Sequence, residues 1–168
     1  MTSSSNLDPV VGQAVAQALR AAHARHIAAR KGSDLAAAFS SAAETAWWIC
    51  ALDDQLGGAD KTTPYSKARN LDPNGRYIRG VRWVRNRHTH QLPITTSKDE
   101  KPFFPGPPFY LSAGFIWRPF DDFPPVPARQ NAGAGVYKCL MAGQSTIEAL
   151  TRSAMWLQGP TGLDLGQR

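Results

Sequence analysis

The residues best suited to chemistry lie together in the run Arg85-Asn86-Arg87-His88-Thr89-His90. Arg85 and His90 are separated by four residues, and Asn86 follows the arginine directly. An imidazole titrates near neutral pH and can move a proton, whereas a guanidinium is planar, permanently charged and able to stabilise charge on phosphoryl oxygens. The pair could therefore perform general acid-base chemistry at a phosphate, with Asn86 orienting either the phosphate or His90 through a hydrogen bond.

This Arg-Asn-x-x-x-His string, at the end of a basic third helix in an apparent four-helix unit, resembles the motif of HEPN-superfamily ribonucleases. That superfamily includes toxin ribonucleases, abortive-infection proteins and the nuclease domains of RNA-guided CRISPR effectors. The resemblance implies a mainly α, four-helix HEPN-like bundle. It also implies RNA cleavage without a metal ion or other cofactor, in which the 2′-hydroxyl of the RNA attacks the adjacent phosphate. Arg85, Asn86 and His90 would then be the catalytic residues.

The same resemblance carries expectations about partners. In HEPN enzymes two copies of the motif face each other across a dimer interface, so a homodimer is expected. The RNA backbone would be contacted by further basic residues of the third helix, which are Arg79, Arg82, Arg87 and His88. A toxin or phage-defence setting follows, and an antitoxin or sensor protein is considered as a further partner. Gln91 and Leu92 stand where some of these toxins carry a tyrosine that is nucleotidylated, so that form of regulation is not expected.

Two other interpretations of the basic run stay open. Arginine and histidine are favoured at helix C-termini because they complement the helix dipole and cap free carbonyls, so the run could be structural. The chain would then be a non-catalytic helical protein that binds a protein or nucleic acid through its basic third helix and an aromatic insertion. It could equally be a subunit of a larger assembly that docks through that insertion.

Metal and thiol chemistry have little support in the sequence. His88 and His90 are two residues apart and point to different sides of a helix. His23 and His26 lack a nearby third ligand, so we expect ordinary exposed or boundary histidines and no metal site. The two cysteines are far apart in the sequence, which argues against a disulfide framework, and Cys50 has the apolar neighbours of a core residue.

Four helices are predicted from the hydrophobic periodicity and the capping residues. The first and third open with an Asp-Pro pair, and the fourth opens with a Ser145…Glu148 capping box. A polar linker containing Pro64 is expected between the second and third helices. The predicted spans are Asp8 to Lys31, Ser33 or Asp34 to Leu56, Asp72 to about Arg87, and Ser145 to a stop at Gly159-Pro160, with one further helical turn between Tyr137 and Ala142.

The stretch from Pro93 to Pro127 has a different character. It contains nine prolines together with many aromatic residues, which excludes a continuous helix. Its apolar part, Tyr110 to Trp117, favours a short strand or an ordered hydrophobic loop. We therefore predict a single helical domain over residues 8–158 with an insertion at 93–127, a disordered N-terminus at 1–7 and a tail at 159–168.

Acidic and aromatic residues give further expectations. Asp53-Asp54 is predicted to be a solvated helix end, and Glu44 is expected to be partly buried with an arginine of the third helix as its partner. Of Trp47 and Trp48, one should pack in the core and the other at its edge. Trp83 and Trp117 are expected to cover the helical core. For Phe103-Phe104, core packing and base stacking both remain open.

Composition narrows the class of protein. The 168 residues suffice for one domain, and 19 Lys and Arg against 13 Asp and Glu give a net charge of +6, which favours polyanionic partners. The first residues do not have the pattern of a secretion signal, and no apolar stretch is long enough to span a bilayer. A cytoplasmic protein without a membrane association is expected.

Overall fold

The computed structural model describes residues 8–32, 34–88, 93–96, 114–125 and 132–162. This part of the chain is mainly helical, as predicted, but it contains six α-helices where the sequence indicated four. They are joined by one pair of short strands. The helices are α1 (Pro9–Lys31), α2 (Leu35–Gln55), α3 (Pro64–Leu71), α4 (Tyr77–His88), α5 (Ala134–Leu140) and α6 (Thr146–Thr161), and the strands are β1 (Ile94–Thr96) and β2 (Phe115–Trp117).

The first two helices begin where their capping residues predict. The Asp8 carboxylate accepts hydrogen bonds from the amides of Val10 and Val11, at 2.8 and 3.3 Å. Asp34 accepts one from the amide of Ala37 at 2.9 Å. These amides have no partner within the helix, so the carboxylates satisfy groups that would otherwise need water. Both predicted helices are confirmed.

The predicted linker before the third helix is wrong, because it contains helix α3. Thr63 caps this helix by accepting from the amide of Ser66, and Pro64 occupies its first turn. Asp72 does accept hydrogen bonds from the amides of Asn74 and Gly75. It closes a turn there, and α4 begins only at Tyr77. The Asp-Pro pair thus marks a turn between two helices.

The C-terminal helices also differ in detail from the predictions. Helix α6 begins at Thr146 as expected, but the side chain of Ser145 makes no capping hydrogen bond and Glu148 pairs with Arg152 instead. The capping box is therefore wrong. The predicted stop is wrong, since α6 includes Pro160 and ends at Thr161, where Gly162 caps it with a left-handed backbone. The predicted helical turn from Tyr137 corresponds to α5.

The ends of the proline-rich insertion meet as an antiparallel strand pair. Ile94 lies opposite Trp117 and Thr96 opposite Phe115. The predicted short strand is confirmed for Phe115–Trp117, whereas residues 110–113 and the Phe103-Phe104 pair lie outside the described residues. Beyond this pair, the Trp117 carbonyl accepts from the amide of Gly143. The strand pair therefore connects the insertion to the loop before α6.

Helix α2 lies at the centre of the core and packs against α1, α4 and α6. Trp83 and Trp117 are almost fully buried in that core, as predicted. Trp48 packs against the core while Trp47 is exposed. Among the described helices, α2 alone has the length and apolar composition to cross a membrane. The expectation that no apolar stretch has the length to span a bilayer is therefore wrong for α2, although one face of this helix is buried against its neighbours.

His23 and His26, expected at the surface or its boundary, are both buried. The Ala38 carbonyl can only accept, so Nδ1 of His26 carries the proton and donates to it at 3.0 Å, while Nε2 accepts from the Thr146 hydroxyl at 2.8 Å. His26 thus joins α1 to α2 and α6. Burial lowers the pKa of His26 to about 4 and also lowers that of His23, because it disfavours the charged imidazolium.

The buried neutral His26 predicts acid-sensitive stability. A histidine whose folded pKa lies near 4, below the unfolded value of 6.5, binds its proton more readily in the unfolded chain. The free energy of unfolding should be unaffected by this group above pH 6.5. It should fall as the pH drops from 6.5 towards 4, with a slope approaching about 1.4 kcal/mol per pH unit.

Urea unfolding measured between pH 4 and 8 tests this expectation. His26→Gln, which has no group that titrates in this range, should flatten the profile even if its stability at pH 7 is lower. A wild-type profile that is flat, or one that keeps its full slope in His26→Gln, contradicts the assignment, since His23 alone accounts for only part of the slope.

Candidate nucleic-acid interface on helix α4

Helix α4 has one buried face and one basic face. Ile78, Val81 and Val84 are fully buried against α2, α5 and α6. Arg79, Arg82 and Asn86 follow on the other side at three- and four-residue steps, and the half-buried Arg85 lies at the border between the two faces. Helix α4 has twelve residues and is therefore about 18 Å long. The helix is therefore basic, as the sequence predicts, and its apolar residues pack in the core.

A buried carboxylate positions the middle of this basic face. Asp53, on α2, is fully buried. Arg69 NH1 on α3 donates to both of its oxygens at 2.7 and 2.6 Å, and Arg82 NH2 on α4 donates to Oδ2 at 2.5 Å. The Tyr65 hydroxyl donates to Oδ1 at 2.9 Å. A single carboxylate thus connects three helices, and we call this group of four residues the Asp53 cluster.

The prediction that Asp53-Asp54 is a solvated helix end is wrong for Asp53. Two turns of α2 before it, Ala46 lies on the same buried face, and Asp53 continues that face rather than leaving it. Only Asp54 is partly exposed, at 36% of its side chain, and it pairs with Arg82 at 2.7 Å. Burial, followed by the charge of Asp53, raises the pKa of Tyr65 above its usual range. The tyrosine therefore stays a neutral donor.

Arg85 and Asn86 form a defined pair near the C-terminal end of α4. Arg85 donates from Nε and NH2 to the Asn86 side-chain oxygen at 3.2 and 3.0 Å. Its guanidinium carbon lies 5.8 Å from the centre of the Trp47 ring on α2. These contacts fix the plane of the guanidinium at the surface. Two of the three predicted catalytic residues are therefore adjacent in space, and Asn86 orients Arg85.

The third predicted catalytic residue, His90, lies outside the described residues, as do positions 89–92. The backbone of His88 belongs to α4, but its side chain is not described. The pairing of His90 with Arg85 in one site therefore stays a prediction.

The other arginines predicted to bind RNA are in unequal environments. Arg79 is exposed, and it has no carboxylate partner among the described residues. Arg82 is 24% exposed in its side chain and is held by Asp53 and Asp54. Arg87 is buried, with its guanidinium carbon 4.8 Å from the centre of the Trp83 ring. Arg82 and Arg87 thus make contacts within the fold, whereas Arg79 faces solvent.

The structure also tests the sequence predictions for Glu44 and Cys50. Glu44 pairs with Arg25 of α1 rather than with an arginine of α4, so that predicted partner is wrong. Burial raises the pKa of the Cys50 thiol to about 12, in agreement with a core residue rather than a nucleophile. No group of three or more His, Cys, Asp or Glu side chains in the described ranges is arranged to hold a metal ion.

A basic pocket beside α4 was not identified from the sequence. Lys61, Arg69 and Asn70 come from the segment predicted to be a linker, and they line this pocket together with Arg79 and Arg82. The sequence contains one sign of it, because Thr63-Pro64 has the same capping pattern as Asp8-Pro9. Recognising α3 from that pattern would have placed Arg69 within reach of α2.

Comparison of the chain with protein-family models, with curated proteins and with solved structures gives no match.

The Asp53 cluster predicts that removing the charge of Asp53 destabilises the protein much more than removing the charge of the neighbouring Asp54. Asp53→Asn keeps the shape but removes the charge that two arginines share, so the free energy of unfolding should fall by about 3 to 5 kcal/mol. Asp54→Asn, at a partly exposed position on the same helix, should cost no more than about 1 kcal/mol. Urea unfolding at pH 7 compares them directly. Equal losses in the two variants would contradict the structural role of Asp53.

Proposed function

We propose that this chain is a metal-independent endoribonuclease with Arg85, Asn86 and His90 as its catalytic residues. The single observation that supports the proposal most is the hydrogen-bonded Arg85-Asn86 pair near the C-terminal end of a basic helix. The remaining N–H groups of Arg85 have no partner within the described part of the chain. A guanidinium fixed in this way suits recognition of phosphoryl oxygens.

The chemistry proposed needs no group beyond the protein and the RNA. His90 removes the proton from a 2′-hydroxyl, whose oxygen attacks the adjacent phosphorus. The bond from phosphorus to the 5′-oxygen of the next nucleotide breaks, and that oxygen takes up the proton that His90 removed. The products are a 2′,3′-cyclic phosphate and a free 5′-hydroxyl. Arg85 stabilises the charge that develops on the phosphoryl oxygens, and Asn86 keeps its guanidinium in place.

The substrate contacts we propose differ from those expected from the sequence. Arg79 is exposed on the same side of α4 as Asn86, the neighbour of Arg85, so it supports binding of the RNA backbone. Arg82 and Arg87 are held by Asp53, Asp54 and Trp83, and we therefore assign them to the fold. His88 stays a predicted backbone contact.

A homodimer is part of the proposal, since one Arg-His pair offers few groups for an efficient site and two facing copies offer twice as many. The setting proposed is a toxin or a phage-defence effector. The alternative is a non-catalytic protein that binds RNA through the same basic face. The exposed Lys61 and Arg79 favour that alternative, because both lie outside the Arg85-His90 motif.

A cleavage assay decides between these two functions. Mixed RNAs are incubated with the purified protein in excess chelator, and the products are examined for cyclic phosphate ends. His90→Ala and Arg85→Ala should each reduce the rate by about a hundredfold or more, the scale of a lost acid-base group. Arg76→Ala, an exposed arginine just before α4, is the matched control and should cleave at the wild-type rate.

Absence of cleavage, or cleavage that survives both active-site changes, overturns the ribonuclease proposal. Light scattering on the same preparation should give the mass of a dimer. A monomer with full activity would contradict the paired site while leaving the catalytic residues in place.

A further inference from the structure

A pocket of about 320 Å³ opens between α4, α3 and the segments that follow α2 and precede α5. It is small for a ligand site and suits a single phosphorylated group rather than a large cofactor. Its polar lining comes from three separate parts of the chain. The residues around it are Gly58, Ala59, Lys61, Arg69, Asn70, Arg79, Arg82, Ala132 and Gly133.

The charges around this pocket do not cancel. Arg69 and Arg82 carry two positive charges, and they are balanced by the carboxylates of Asp53 and Asp54 that bind them. Lys61 and Arg79 add two more, and neither has a carboxylate partner in the ranges that the structure describes. The pocket therefore has two uncompensated cations at its mouth. An anion that entered it would meet a positive potential on both sides.

The wall of the pocket is fixed by the fold. Arg69 is 97% buried, since only 3% of it is exposed, and it donates from Nε and NH2 to the side-chain oxygen of Asn70 at 3.4 and 3.3 Å. Those contacts turn the carbonyl of the Asn70 amide towards Arg69. Its NH₂ group then remains as a hydrogen-bond donor for a ligand. The lining thus offers donors and cations, the groups that bind phosphate.

Two glycines permit this arrangement. A Cβ at Gly58 would lie 2.3 Å from the Asp53 carboxylate, so only glycine lets the loop after α2 close over the Asp53 cluster. Gly133 has a φ of +92°, and a Cβ there would lie 2.3 Å from the Arg79 carbonyl oxygen. Two glycines of the pocket lining thus allow close approach, at Gly58 to a carboxylate and at Gly133 to the backbone of α4.

We propose that this pocket binds a phosphate group of a nucleotide, with Lys61 and Arg79 as its ligand-binding cations and Asn70 as a hydrogen-bond donor. The phosphate could belong to a free nucleotide or to an RNA backbone. Arg79 and Asn86 are seven residues apart, which places them on the same side of α4 and about 10 Å apart along its axis. An RNA strand held by the pocket would therefore pass close to the Arg85-Asn86 pair. That RNA case rests on the proposed function, whereas phosphate binding does not.

Isothermal titration calorimetry at constant ionic strength tests the proposal. It measures the affinity of the protein for two probes, adenosine 5′-monophosphate and a short oligouridylate. All proteins carry His90→Ala, so that cleavage cannot consume the oligonucleotide. The double variant Lys61→Gln/Arg79→Gln should bind at least one probe about tenfold more weakly or worse, because it lacks both uncompensated charges. Lys67→Gln/Arg76→Gln removes two exposed charges outside the pocket and should bind like the parent.

The two probes distinguish the sources of phosphate. Binding of the mononucleotide as tight as that of the oligonucleotide supports a free nucleotide, and much tighter binding of the oligonucleotide supports an RNA backbone. No measurable binding of either probe overturns the proposal, as does an equal loss in the control double variant. Cleavage is assayed separately in proteins with His90 intact. Failure of the pocket proposal therefore appears in the titration, and failure of the ribonuclease proposal appears in the cleavage assay.

Discussion

The buried carboxylate of Asp53 is the constraint on which the rest of this structure depends. An uncompensated charge in the core would be very costly, so the chain must bring cations to it. Arg69 and Arg82 do so from two different helices, with Tyr65 as a further neutral donor. Because α3 has only eight residues, its position beside α2 relies on this cluster. Gly58 allows the connecting loop to close over the carboxylate.

The same constraint divides the charge of helix α4 into two parts. Arg82 neutralises the carboxylates of α2, and Arg87 lies against Trp83 in the core, so these two arginines stabilise the fold. Arg79 and Arg85 face outward, one at the basic pocket and the other beside Asn86. A net positive charge counted from the sequence therefore overstates the charge that α4 can offer to a ligand. The placement of each arginine decides whether it can bind phosphate.

Helix spans were predictable where local capping and periodicity agree, as they do for α1 and α2. Helix α3 was missed because its eight residues are too short to show a period, although Thr63-Pro64 marks its start. The burial of Asp53 and His26 could not be predicted, because each depends on partners distant in sequence, such as Arg82 and Thr146. Arg85 and Asn86 were identified from the sequence because they are neighbours in a motif, but their hydrogen bond was not predicted, since Asn86 was expected to orient the phosphate or His90.

The division of charge on α4 is tested most directly by comparing Arg79→Gln with Arg82→Gln in RNA binding and in stability. If Arg79 serves the ligand and Arg82 serves the fold, Arg79→Gln reduces the salt dependence of binding by about one phosphate contact and leaves the free energy of unfolding unchanged. Arg82→Gln lowers the free energy of unfolding and leaves the salt dependence unchanged at temperatures where the variant is folded. The opposite assignment, or the same effect from both variants, would contradict this division of charge.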